Sequence, residues 1–150
     1  MTIQVLKELF RRDLNRLKSE IELYENESTM WTIENSIKNS GGNLCLHLIG
    51  NLKHFIGNGL GNIGYERQRE FEFSGKFVSK TKLLKEIDET IQIVTQGLDK
   101  ITDEQLNGNF PIVIWENATG MVFTIIHLHS HLNYHLGQIN YHRRILDATA

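Results

Sequence analysis

Seven histidines are the side chains here most able to do chemistry, and four of them fall between residues 127 and 135, with a fifth at 142. Histidine is the commonest metal ligand and the residue most easily tuned for proton transfer near neutral pH. His127, His131 and His135 recur every fourth residue. On a helix this spacing drifts only about 80° around the axis, so the three lie on one stripe. Imidazoles at i and i+4 project from adjacent turns and can converge on one ion. Gln138 and His142 fall within about 60° of His127 and join the stripe, whereas His129, about 200° away, lies on another face.

A pair of imidazoles holds an ion weakly, so a third ligand must come from a neighbouring helix. His47, in the middle of an apolar run, is the natural donor, and His54, seven residues on and on the same side, is the alternative. Three neutral nitrogens with one or two positions left open is the pattern of a catalytic metal site, because structural sites usually saturate the ion with four ligands. Such an ion polarises a substrate or lowers the pKa of a bound water or thiol. Its affinity should fall as pH drops through the histidine range, since protonated imidazole cannot ligate. Against this stands the ordinary role of a helical histidine as a hydrogen-bonded surface or half-buried side chain. His127 and His142 also fit as core-edge or interface residues.

The elements that must position these groups are legible in the periodicity. Ile3, Leu6, Phe10, Leu14, Leu17, Ile21 and Tyr24 recur at three- and four-residue steps and predict a first helix over 3–24. Residues 25–42 break the rhythm, and Trp31 and Ile33 within them are expected to dock on the bundle. A second, central helix is predicted from about 43 to about 58, apolar on most sides and ended by the glycines at 57, 59, 61 and 64. Residues 65–73 alternate aromatic and charged side chains and read as an extended loop. Ser79 caps a third helix over 80–98. Residues 101–118 form a long connection with a β-prone stretch at Ile112–Trp115. Thr119 then caps a fourth helix from 120 to about 147, with Arg143 and Arg144 suiting its C-terminus. The fold class is therefore all-α, a four-helix bundle in one domain spanning 1–150, with ligand sites between facing helices.

Composition narrows the function. The net charge of −2 offers no basic stripe for nucleic acid. No apolar run approaches the ~18 residues of a membrane span, and the N-terminus lacks a secretory pattern, so the chain reads as cytoplasmic. Cys45 is the only cysteine, which excludes an intramolecular disulfide and a thiolate cluster. It is two residues from His47, on another face, and fits a small buried thiol better than a nucleophile. Gly59-Leu60-Gly61-Asn62-Ile63-Gly64 matches the dinucleotide-binding pattern, but that motif works between a strand and a helix. Here it follows a helix and reads as a helix-terminating turn. Ser130 has histidines as sequence neighbours that do not face it, so no serine nucleophile follows.

Several stretches together carry a family likeness. His47-Leu48-Ile49-Gly50-Asn51-Leu52 and His131-Leu132-Asn133-Tyr134-His135-Leu136-Gly137-Gln138-Ile139 resemble the DinB/YfiT-like superfamily. Gly64-Tyr65-x-Arg67-x-Arg69 and Tyr141-His142-Arg143-Arg144 are similar to a DinB-like branch of unknown function, and the likeness runs over roughly residues 5–147. The resemblance implies an antiparallel, up-down-down-up bundle, commonly a homodimer. It also implies a divalent ion (zinc, nickel or manganese) on His47, His131 and His135. Relatives include thiol S-transferases, which implies a low-molecular-weight thiol as cofactor or substrate; it implies no DNA binding. Leu136 stands where many relatives carry arginine. Arg67 and Arg69 are candidates to meet an anionic thiol or a substrate carboxylate, set against an ordinary role as loop arginines paired with Glu66, Glu70 or Glu72.

Overall fold

The computed structural model describes residues 2–147, and every regular element among them is helical. Helix α1 (Thr2–Leu23) buries Leu6, Phe10, Leu14, Leu17 and Ile21, the stripe its periodicity predicts, and it packs against α4 (Lys80–Asp99) and α5 (Met121–Leu146). The buried apolar residues of all these helices form one cluster. No helix among the described residues is long and apolar enough to cross a membrane.

Helix α2 (Gly41–Leu52) is the central element, and every one of its residues is buried. Ser40 starts it two residues before the predicted boundary, its hydroxyl accepting from the Asn43 amide. The two glycines that follow are there for contact. A Cβ on Gly41 would lie 2.1 Å from the Tyr24 hydroxyl, so only glycine lets the helix start against that ring. Trp31 docks as expected, while Ile33 stays exposed.

The predicted end of this helix, at about residue 58, falls three residues short. The chain continues as a π-helical segment, Lys53–Asn58, and one α turn, Gly59–Gly61, whose last residue is one of the predicted glycines. Asn62, in the left-handed region at φ 50°, ψ 45°, ends it. Asparagine is one of the few non-glycine residues that take this conformation readily. Gly57 instead serves packing, since a Cβ there would strike Ile63 at 2.6 Å.

The stretch read as an extended loop also departs from expectation. Residues 65–68 are irregular, but Arg69–Ser74 form a short helix, α3, packed against α2. Glu70 and Glu72 in its first turn suit the positive end of a helix. Asn43 fastens the far end by donating to the carbonyls of Glu72 (3.1 Å) and Gly75 (2.8 Å). Alternation in the sequence therefore reflects one inward carboxylate, Glu72, between outward Phe71 and Phe73.

Ser79 caps α4 by accepting from the Lys82 amide. The β-prone Ile112–Trp115 forms no strand. Ile112 and Ile114 pack on the core while Val113 and Trp115 face out. The pairing nearby is an isolated bridge between Asn109 and Gly120. Gly120, not Thr119, occupies the N-cap of α5, and the Thr119 hydroxyl turns to Thr124. Helix α5 buries Met121, Ile125, Leu128, Leu132, Leu136 and Ile139 yet also exposes Phe123, Ile126, Tyr134, Tyr141 and Ile145.

Candidate metal centre

His47 projects from the middle of α2, and His131 and His135 project from adjacent turns of α5, where α2 and α5 pack together. Their ligand atoms lie within 4.8 Å of one another, a group able to hold a metal ion. The Nε2 of His131 is central, 3.2 Å from His47 Nε2 and 3.1 Å from His135 Nε2. Nitrogens each ~2.1 Å from one ion stand about 3.0–3.4 Å apart in octahedral or tetrahedral geometry, so these spacings fit a single cation.

The outer hydrogen bonds settle which ring nitrogens carry protons. His47 Nδ1 is 3.0 Å from a Glu72 carboxylate oxygen, and His135 Nδ1 is 2.7 Å from the Gln138 carbonyl oxygen. An acceptor at each Nδ1 requires an N–H there, which leaves the Nε2 of both rings as bare lone pairs. His131 can donate a proton toward one of them at most. A cation among them would satisfy all three lone pairs at once. The donor set thus fits a divalent ion, and its carboxylate–histidine arrangement is the one that orients metal ligands elsewhere.

Electrostatics agree. Burial, reinforced by the neighbouring His135 and His47, pushes His131 down to about 4, so its lone pair is free at neutral pH and proton competition there sets in below the usual imidazole range. Burial also lowers His135, partly opposed by Gln138. Burial would raise Glu72, but hydrogen bonds from His47 and Arg67 outweigh it and hold the carboxyl below its ordinary value. Glu72 is therefore an anion at neutral pH.

Arg67 grips Glu72 with both edges, Nε to Oε2 and Nη2 to Oε1, each at 2.9 Å. This bidentate pair fixes the carboxylate that fixes His47. Arg69 is exposed, its guanidinium 5.9 Å from the centre of the Phe73 ring, which in turn lies 4.8 Å from His47. Periodicity does not reveal Glu72. The signal that could have found it is Gly50, one turn after His47 in a helix of bulky residues. A Cβ there would lie 2.0 Å from a Glu72 carboxylate oxygen. Glu72→Gln keeps the size but loses the charge, and should weaken zinc binding by roughly 10- to 100-fold, as loss of such outer partners does. Competition with a chromophoric chelator measures this, and an unchanged constant would show that Glu72 has no part in ligation.

The other histidines lie outside the cluster. His54 reaches toward Asn58. His127 packs on Trp115 at 4.6 Å between ring centres. His129 is bound to Asp13, on the separate face that its position predicts. His142 is buried between Thr32 and Tyr24: its Nε2 donates to the Thr32 carbonyl (2.8 Å), so Nδ1 accepts from the Tyr24 hydroxyl (2.7 Å). Tyr24→Phe leaves that buried acceptor unsatisfied and should cost about 1–2 kcal/mol in urea unfolding. Cys45 is fully buried, and burial pushes its thiol up, which keeps it unreactive.

The fold and the cluster define an all-helical protein with a three-histidine site able to hold a metal ion. A family model described as a protein of unknown function, DUF1572, matches residues 2–150, and the chain belongs to that family. No curated protein and no solved structure matches it.

Proposed function

We propose that the chain is a divalent-metal-dependent enzyme of the DinB/YfiT-like superfamily, a transferase acting on or through a low-molecular-weight thiol. The observation that carries this reading is the convergence of three imidazole ligand atoms within 4.8 Å of one another, one on a buried ring and two on half-buried rings. Zinc, nickel or manganese bound there supplies Lewis acidity that favours a thiolate over a thiol. The protein does the positioning. Arg67 and Glu72 hold the His47 proton at Nδ1, Gln138 does the same for His135, and Phe73 and Tyr134 each pack an aromatic ring on a histidine of the cluster.

Thiol chemistry suits the site better than hydrolysis for one reason. Glu72, the carboxylate hydrogen-bonded to the ligand set, is engaged by both His47 and Arg67 and orients a ligand instead of receiving a proton from water. We further propose that α1, α2, α4 and α5 form the antiparallel, up-down-down-up bundle, and that the protein is cytoplasmic. Contacts of α1 with α4 and α5, and of α2 with α5, support the bundle. The exposed apolar residues Phe123, Ile126 and Tyr134, a stripe on α5, support a homodimer. The same stripe fits the alternative of a non-catalytic, metal-binding dimer, in which the ion only stiffens the helices.

Elemental analysis of protein purified without a histidine tag tests the ion, with near-stoichiometric metal expected. Cobalt-loaded protein titrated with dithiothreitol or glutathione then tests the thiol: a new near-ultraviolet thiolate-to-cobalt band is expected. Absence of metal after incubation with all three ions would remove the reading. Metal without the band would leave the stiffening role.

A further inference from the structure

A cavity of about 370 Å³ opens beside the metal centre, between residues 36–39 and the last turns of α5. Its wall is adjacent to the ligand set on both helices. Leu44 is one turn before His47, and Gln138 is one turn after His135. Ile37, Leu44, Tyr141 and Ile145 make one part of the lining apolar. Its one charged side chain is Lys38, which has no ion-pair partner among the described residues. His142, at the base, spends both ring nitrogens on Tyr24 and Thr32.

Gln138 faces both sites. Its carbonyl oxygen accepts from His135 Nδ1 at 2.7 Å, while its amide N–H groups have no partner among the described residues. A group binding in the cavity can therefore take a hydrogen bond from the same side chain that orients a metal ligand. One cation, one amide donor and an apolar lining match a monoanion with a hydrophobic body, better than a phosphate, which calls for several cationic or backbone donors. The first turn of α2, the positive end of that helix, adds to the preference for negative charge.

We propose that this cavity binds a small apolar carboxylate, with Lys38 as counter-charge and Gln138 as hydrogen-bond donor, and that its occupancy changes metal affinity through His135. The coupling rests on the metal centre proposed above; the anion site does not. The two effects are reciprocal, since an anion that alters ion binding must have its own affinity altered by the same factor.

The probe is 3-phenylpropionate, with uncharged 3-phenylpropionamide as its control, titrated into metal-free protein and followed by amide NMR shifts. Saturable shifts at Ile37, Tyr141 and Ile145 are expected for the acid and not the amide, and Lys38→Met should weaken binding at least ~10-fold, about the loss of one charge-assisted contact. Equal binding of acid and amide, or no effect of Lys38→Met, overturns the anion site whether or not the protein binds metal. The zinc dissociation constant is then measured with and without saturating 3-phenylpropionate. A shift of roughly fivefold or more in the wild type, abolished in Gln138→Leu, is expected from a coupling in the usual range. An unchanged constant in the wild type overturns the coupling.

Discussion

His131→Ala is expected to weaken zinc binding by at least about two orders of magnitude. His131 Nε2 is the central atom of the group, within 3.2 Å of both other donors, so its loss removes a ligand and leaves no atom between the remaining two. Structural zinc sites contribute ~10–16 kcal/mol from four ligands, which is about 3 kcal/mol per ligand, or roughly a hundredfold in affinity. The same variant should lose the stabilisation that zinc gives the wild type. An ion at ~1,000 times its dissociation constant adds about 4 kcal/mol, read as a rise in the melting temperature. His127→Ala and His54→Ala are the controls, since neither ring belongs to the cluster. Equal loss in His127→Ala would place the ion one turn further up α5 and remove His47 from the site. Retention of wild-type affinity in His131→Ala would mean that zinc binds elsewhere.

The contrast between His131 and Glu72 shows what the sequence makes legible. Two imidazoles four residues apart on α5 must share a face, so their convergence follows from helical geometry alone. His47 needed more: an apolar run identified its helix as central, and a buried imidazole in such a helix has to meet a neighbour. Glu72 offers no such handle. It stands in a stretch of alternating charge and aromatic residues, where nothing local distinguishes the one carboxylate that turns inward. What buries it is tertiary: the gap over Gly50, the Arg67 fork and the His47 proton together make a space only an anion fills. The helix ends show the same limit. Gly57 and Gly59 read as stop signals but serve close packing, because a glycine suits both roles and only the fold decides which. Asn62 carries the left-handed turn instead.

Asp13 is the second place where burial hides from periodicity, and its removal has the other large effect. It lies on the apolar face of α1, between Phe10 and Leu17, with no exposed surface. His129 Nε2 (2.7 Å) and Asn133 Nδ2 (2.9 Å) reach it from α5, so this carboxylate ties the two helices together. Arg12 and Arg16 pair with it from the solvent side, where such pairs add little. Asp13→Ala strands the His129 donor inside the α1–α5 interface and leaves Asn133 only its bond to the His129 carbonyl. The expected cost is about 3 kcal/mol in urea unfolding, in the range for breaking a buried charged network.

The pH dependence gives a separate reading of the same carboxylate. Burial raises Asp13, but hydrogen bonds from Arg12, Asn133 and His129 outweigh it and hold the group at about 2. The unfolded chain has the ordinary value of about 3.9. A carboxyl depressed in the folded state stabilises it above the unfolded pKa, and that contribution fades as pH falls from about 4 through about 2. The lost stability is of order 2 kcal/mol, about 1.4 kcal/mol per unit of difference. Asp13→Asn keeps an acceptor and cannot titrate, so it should be less stable than the wild type at pH 7 and approach it as the pH drops to 3 and below. Parallel unfolding midpoints for the two proteins from pH 7 to 2.5 would show that Asp13 carries no charge-dependent link between α1 and α5. Converging midpoints would show that a buried anion, unseen in the helical pattern, holds in place the helix that carries two of the three clustered histidines.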